Sequence, residues 1–295
     1  MKRGKIELPN EFNYVEAYLT LKCNYDCSYC INEGMREEHK LNRKRAEMRS
    51  EDWANSLNRI DFKDVPLTLG GGEPTIYDGF YDLLDNLDKK IKIDLLTNLE
   101  FDMSKFLKRV NPERFNKNNN PAYRSIRVSF HPEREIKKRG YMKGLIERAR
   151  YLQENKFSIG IFGISHPKNL EANMEMAELS RQNQVYFFVK DFLGDYGEKL
   201  FGHFAYPLAL DGKEKKAKCR IKELLIGPNG NVYKCHRDLY KEELEIGNIK
   251  YPSFQIEYLF RSCGKYGKCN LCDVKLKTNR FLESGNCQVE IISED

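Results

Sequence analysis

Cys23-Asn24-Tyr25-Asp26-Cys27-Ser28-Tyr29-Cys30 spaces three cysteines as C-x3-C-x2-C, directly after the strand-like run Tyr14–Leu21. Three thiolates on one short loop suit a cube-shaped [4Fe–4S] cluster whose fourth iron is left without a protein ligand and can chelate a small molecule. A zinc ion would need a fourth ligand close by, and His39 is the only local candidate. Packing of three thiols in a core is the remaining alternative.

Outward from this loop, apolar runs alternate with amphipathic stretches. Tyr14–Leu21, Val65–Leu69, Ile91–Leu96, Ser125–Phe130, Phe157–Ile164 and Val185–Phe188 read as strands. Ser50–Leu57 (with Ser50 as N-cap), Phe80–Leu87, Glu135–Asn155 and Leu170–Gln182 read as helices. Asn116–Asn120 and Gly194–Gly202 read as loops. Six strands alternating with helices predict an α/β fold with a parallel sheet and right-handed crossovers, whose ligands sit at the C-terminal strand ends. Beyond about Ala209 the alternation stops. There Glu223–Ile226 and Val232–Lys234 flank a Gly-Pro-Asn-Gly-Asn turn, which predicts a hairpin. A domain boundary is expected near residue 208, dividing 1–208 from a small cysteine-rich α+β unit over 209–295.

The C-x3-C-x2-C loop with Tyr29 before its third cysteine, followed one βα unit later by Gly70-Gly71-Gly72-Glu73-Pro74, closely resembles the signature of the radical S-adenosylmethionine (SAM) superfamily. The resemblance covers roughly residues 14–190 and implies a partial (β/α)6 TIM-like barrel. It implies a cluster on Cys23, Cys27 and Cys30, with SAM contacts at Tyr29, Gly71, Gly72, Glu73, Asn98 and Ser129. Glu73 would offer negative charge to the SAM ammonium, and the glycines close approach of backbone carbonyls. Thr97-Asn98 and Ser129 end the third and fourth strands. His131 and His166 each precede a proline at a strand end; either reaches a substrate or is a satisfied loop histidine. The implied chemistry is reductive cleavage of SAM to a 5′-deoxyadenosyl radical that abstracts a hydrogen atom. The resemblance also implies an electron donor such as flavodoxin or ferredoxin.

Six further cysteines follow: Cys219, Cys235, Cys263, Cys269, Cys272 and Cys287. Their arrangement about the hairpin resembles the Twitch and SPASM extensions of that superfamily, which hold auxiliary [4Fe–4S] clusters. The resemblance implies Cys219, Cys235, Cys269 and Cys272 as one ligand set, with Cys263 and Cys287 as further ligands, hydrogen-atom donors or inert thiols. The spacing departs from the full SPASM pattern, and six thiols are too few for two four-cysteine clusters. A zinc ribbon is the alternative. His236-Arg237-Asp238, right after Cys235, either tunes a cluster, meets substrate or is loop structure.

Composition bounds the rest. No apolar run approaches the ~20 residues of a membrane span, and the N-terminus lacks a signal-peptide core, so the chain is expected to stay in the cytoplasm; the resemblance, not the composition, implies an oxidoreductase or isomerase. Nine cysteines in a reducing compartment point to metal or catalysis. Much of the basic excess behind the +6 charge sits in Arg36–Arg49 and Lys213–Lys222, either as solvated surface or to attract an anionic substrate; the Arg36–Arg49 stretch is the only support for a nucleic-acid target, which ranks third. Only 22 residues precede Cys23, few for a leader-binding domain. This favours oxidation or rearrangement of a polar small molecule over crosslinking or epimerisation of a peptide. A non-enzymatic iron–sulfur or zinc module is the contrasting class.

Overall fold

The computed structural model describes residues 4–28, 30, 46–115, 123–203, 212–269, 272 and 289–294. Tyr29, His39, Asn116–Asn120, Cys287, most of the basic Arg36–Arg49 stretch and the boundary expected near residue 208 lie outside them.

Nine strands form one sheet, and six of them are the expected parallel set. These are β2 (Tyr14–Thr20), β4 (Leu67–Gly71), β5 (Ile93–Thr97), β6 (Ile126–Ser129), β7 (Ile159–Ile164) and β8 (Tyr186–Lys190), adjacent in chain order. A parallel strand is covered on both faces, and all seven residues of β2 are buried. Val15, Ala17 and Leu19 alternate outward onto the helices, while Tyr14, Glu16 and Tyr18 take the opposite, lumen face. The outer layer is α1 (Ser50–Leu57), α2 (Phe80–Asn86), α3 (Met103–Arg109), α4 (Glu133–Lys137), α5 (Tyr141–Glu154) and α6 (Leu170–Gln182). Trp53, Phe80, Phe106, Leu152 and Met176 carry its core contacts.

Several local expectations differ from the structure. Ser50 is the first residue of α1 rather than its cap; Arg49 holds that position without a side-chain cap bond. The stretch 135–155 is two helices, because Gly140 takes φ +83° and the Glu135 carboxylate accepts from the N–H groups of Gly140 and Met142 at 2.6 and 2.8 Å. The expected loop 194–202 is a hairpin of β9 (Gly194–Tyr196) and β10 (Lys199–Phe201). Gly70 and Gly71 belong to β4 itself, and α3, capped by Asp102, was not expected.

The hairpin near the C-terminus does not stand apart. Its first arm, β12 (Glu223–Ile226), pairs in parallel with β2, Glu223 opposite Tyr14 and Ile226 opposite Ala17. The antiparallel β13 (Asn231–Tyr233) and β14 (Glu245–Asn248) complete the nine strands. A second sheet sets β11 (Lys215–Ile221) between β15 (Arg261–Tyr266) and β16 (Val289–Ser293). Two short strands, β1 (Ile6–Glu7) and β3 (Ile60–Asp61), pair separately.

One buried guanidinium ties three parts of the chain together. Arg59 donates to the carbonyls of Gly4, Ile249, Tyr251 and Pro252 at 2.8 to 3.1 Å. A lysine there has too few directed donors for this geometry. Arg59→Lys is expected to cost about 2 kcal/mol, since hydrogen bonds to charged groups are worth about 1.5–3 kcal/mol each and stranded carbonyls add a penalty. A denaturant midpoint equal to that of the native protein would refute this clamp.

Candidate functional site

The three N-terminal cysteines sit just past the C-terminal end of β2, where parallel sheets gather their ligands. Cys23 is exposed, Cys27 buried and Cys30 intermediate. The Tyr25 N–H points at the Cys23 sulfur at 3.3 Å, and the Cys30 N–H closes a turn onto the Cys27 carbonyl at 3.2 Å. His131 Nδ1 lies 3.0 Å from the Cys27 sulfur. Three sulfurs on one short loop, with a backbone N–H at one and an imidazole nitrogen at another, make a donor set that fits the iron–sulfur cluster expected of it.

The glycine run explains how this loop is held. Gly71 has φ +138°, and a Cβ there would fall on the Thr20 carbonyl oxygen; one on Gly72 would fall on that of Lys22. Without Cβ atoms the two backbones meet, and the N–H groups of Gly72 and Glu73 donate to Thr20 and Lys22 at 2.9 and 2.8 Å. Close approach is thus made to the backbone entering the cysteine loop.

Glu73 is 1 % exposed. Its carboxylate accepts from Thr75 N–H (3.2 Å), Thr75 Oγ1 (2.6 Å), Thr97 Oγ1 (2.8 Å) and Asn98 N–H (2.6 Å). Burial raises its pKa, and the hydrogen bonds oppose the rise. Asn98 turns its amide to Asn24 Oδ1 at 2.7 Å, joining the end of β5 to the cysteine loop. Lys22 and Asn24 at the start of the cysteine loop, Gly71–Glu73 and Thr97–Asn98 are therefore one bonded unit. Ser129 is exposed at the end of β6. His166 caps the turn Pro167–Asn169 and packs against Phe192 and Tyr196 at 4.5 and 4.9 Å, the arrangement of a satisfied histidine. Burial lowers its pKa.

The five later cysteines among the described residues gather at the other end of β2. Since β12 runs parallel to β2 and β13 returns, Cys219 and Cys235 both fall beside the Tyr14 end. Cys219, Cys235, Cys263, Cys269 and Cys272 line one cavity. Cys219 hydrogen-bonds to Cys263, which holds the Cys263 thiol down and the Cys219 thiol up, and burial raises that of Cys235. Cys263 thus shares the cavity with the four cysteines expected as a set. Among the described residues no three metal-ligating side chains converge on a single ion; a cube spreads its ligands over separate corners.

Two carboxylates were missed by sequence reasoning. Glu16 on β2 and Glu223 on β12 are buried facing His236, whose Nε2 stands 4.0 and 3.7 Å away. A charged residue inside the run Tyr-Val-Glu-Ala-Tyr-Leu-Thr was the available signal for Glu16. His236 opens α7 (His236–Lys241), while Arg237 and Asp238 pair at 2.6 Å.

A sequence model described as "Radical SAM superfamily" matches residues 18–179. No curated protein matches the chain. Solved structures of anSMEcpe are similar in fold. One with bound AdoMet has a TM-score of 0.53 at 14 % identity, covering 80 % of this chain and 77 % of that one. Another, with bound AdoMet and Kp18Cys peptide, has a TM-score of 0.50 at 13 % identity over 80 % and 77 %.

Gly71→Ala is expected to push the cysteine loop off β4. Anaerobically reconstituted protein should then hold less iron, and Cys27 in the metal-free protein should react faster with a thiol reagent. Native values of both would show that the loop does not lean on this glycine.

Proposed function

This chain belongs to the radical SAM superfamily, and we propose that it is an enzyme oxidising a substrate held in the barrel lumen between two iron–sulfur centres. When bound, a [4Fe–4S] cluster supplies the electron that splits SAM into methionine and a 5′-deoxyadenosyl radical, which takes a hydrogen atom from the substrate. Cys23, Cys27 and Cys30 hold that cluster. The Gly71–Glu73 backbone, Asn98, Ser129 and Tyr29 orient SAM beside it. Glu73 acts by bracing the loop against β5, its four hydrogen bonds supporting this role over direct contact with the ammonium. The five cysteines around one cavity support a single auxiliary cluster, with Cys263 in its ligand set rather than as a hydrogen-atom donor.

The observation that carries the reading is the placing of the two cysteine groups at opposite ends of β2. Seven residues at about 3.3 Å each put them roughly 20 Å apart, with the lumen between. A radical formed at one end and an electron acceptor at the other suit net oxidation. A polar small molecule is the first substrate class. A peptide is the second, supported by the peptide-bound structures of similar fold.

Reconstituted protein given dithionite and SAM is expected to release 5′-deoxyadenosine, and Cys27→Ala none. Intact clusters without that product would refute the enzyme reading, and zinc without iron would do so outright. A Cys23/Cys27/Cys30 triple-Ala variant is expected to retain about four irons, the content of one cube; about eight would mean two auxiliary clusters. Glu73→Gln keeps one acceptor oxygen and sets an NH2 against donors, so SAM affinity is expected to fall about tenfold or more. Unchanged affinity would remove Glu73 from the site.

A further inference from the structure

Helix α4 and the turn after it place an apolar knob and a cluster of cations beside the cysteine loop. Ile136 is 89 % exposed, more than any other large exposed hydrophobic of the described chain. It stands in Glu133-Arg134-Glu135-Ile136-Lys137-Lys138-Arg139, whose charges are sorted by direction. Both carboxylates turn inward. Glu133 accepts from the Ser28 N–H at 3.0 Å and from the Ser28 hydroxyl, and Glu135 accepts from the backbone at Gly140 and Met142. Arg134 lies over the Tyr25 ring at 4.3 Å, and Lys138 reaches Glu100 at 3.2 Å. Lys137 and Arg139 are exposed, and no hydrogen bond or ion pair to them is present among the described residues. Lys143, at the start of α5, adds a further exposed cation.

The position is as telling as the composition. Ser28 and Cys27 are both tied to residues 131–133, so this surface begins one hydrogen bond from the loop that carries the cluster. Cys23 on the same loop is exposed. An electron entering the protein must be handed over at short range, because tunnelling falls steeply with distance. A basic rim speeds encounter with an acidic partner, and one apolar contact at its centre sets the docked pose.

We infer that the Ile136–Arg139 surface docks a small acidic flavoprotein that delivers single electrons to the cluster at Cys23, Cys27 and Cys30. This rests on the radical SAM reading above. A flavin is favoured as the centre because its dimethylbenzene edge is apolar and can meet Ile136 directly. The anionic flavin hydroquinone loses one electron to become the neutral semiquinone, the cluster passes from the 2+ to the 1+ state, and no proton moves.

The test uses the reconstituted holoenzyme with an acidic flavodoxin, an acidic ferredoxin and dithionite as alternative reductants, following cluster reduction by stopped flow. Ile136→Asp and the double variant Lys137→Glu/Arg139→Glu are expected to slow flavodoxin-driven reduction by about tenfold or more at low salt. The difference should shrink at high salt, and dithionite-driven reduction should be unchanged. An unaltered flavodoxin-driven rate would overturn the inference, as would a loss confined to ferredoxin. A native self-association abolished by Ile136→Asp would assign the face to a second copy of the chain and equally overturn it. If dithionite itself yields no 5′-deoxyadenosine from the native protein, the enzyme reading fails separately. Calorimetric binding of oxidised flavodoxin, weakened or not by the double variant, then still decides the docking surface.

Discussion

Four hydrogen bonds onto one buried carboxylate hold the cysteine loop where it is. Glu73 gathers the turn after β4 and the end of β5, and its own N–H and that of Gly72 grip the backbone between β2 and Cys23. A carboxylate taken out of water is costly unless its lone pairs are filled. Here Thr75, Thr97 and Asn98 fill them, so removing any one donor leaves a buried charge underpaired at about 1–3 kcal/mol. The glycines are the steric half of the same device. Side chains at positions 71 and 72 would hold the strands apart, and the Glu73 bonds would then join parts that do not meet.

Much of this architecture was legible in the chain. The parallel strands announce themselves as apolar runs because those inside the sheet are buried on both faces, while β8 at its edge is only half-buried; all six end within a few residues of the expected positions. The cysteine spacing and the Gly-Gly-Glu run marked the site because they are local patterns. What stayed hidden depends on distant partners. Glu16 looks out of place in β2 until Glu223 and His236, more than two hundred residues later, arrive beside it. Cys263 looks spare by spacing; its neighbourhood to Cys219 follows from the antiparallel register of β11 and β15, with Ala217 opposite Cys263 and Cys219 opposite Arg261. The break at Gly140 was masked by an amphipathic pattern that continues through it.

The hairpin that leads to Cys235 is bound into the same sheet as the barrel, while Cys219 and Cys263 lie on the second sheet beside it, and this changes what the C-terminal part is. A separate unit joined by a linker would hold its own core and lean on the barrel through a surface contact. Here the hairpin borrows barrel strand β2 as its neighbour, and Arg59 on the barrel side holds residues 249–252.

The register between β12 and β2 acts as a ruler. Glu223 opposite Tyr14 fixes how far along the barrel axis the second group of thiols sits from the first, whatever the length of chain connecting β8 to β11. Insertions in that crossover leave the gauge between the two groups untouched. A slip of β12 by two residues, which keeps every side chain on its face, would lengthen or shorten it by about 7 Å. Evolution could therefore vary the crossover freely, while tuning of the gap between the two cysteine groups would have to pass through strand pairing.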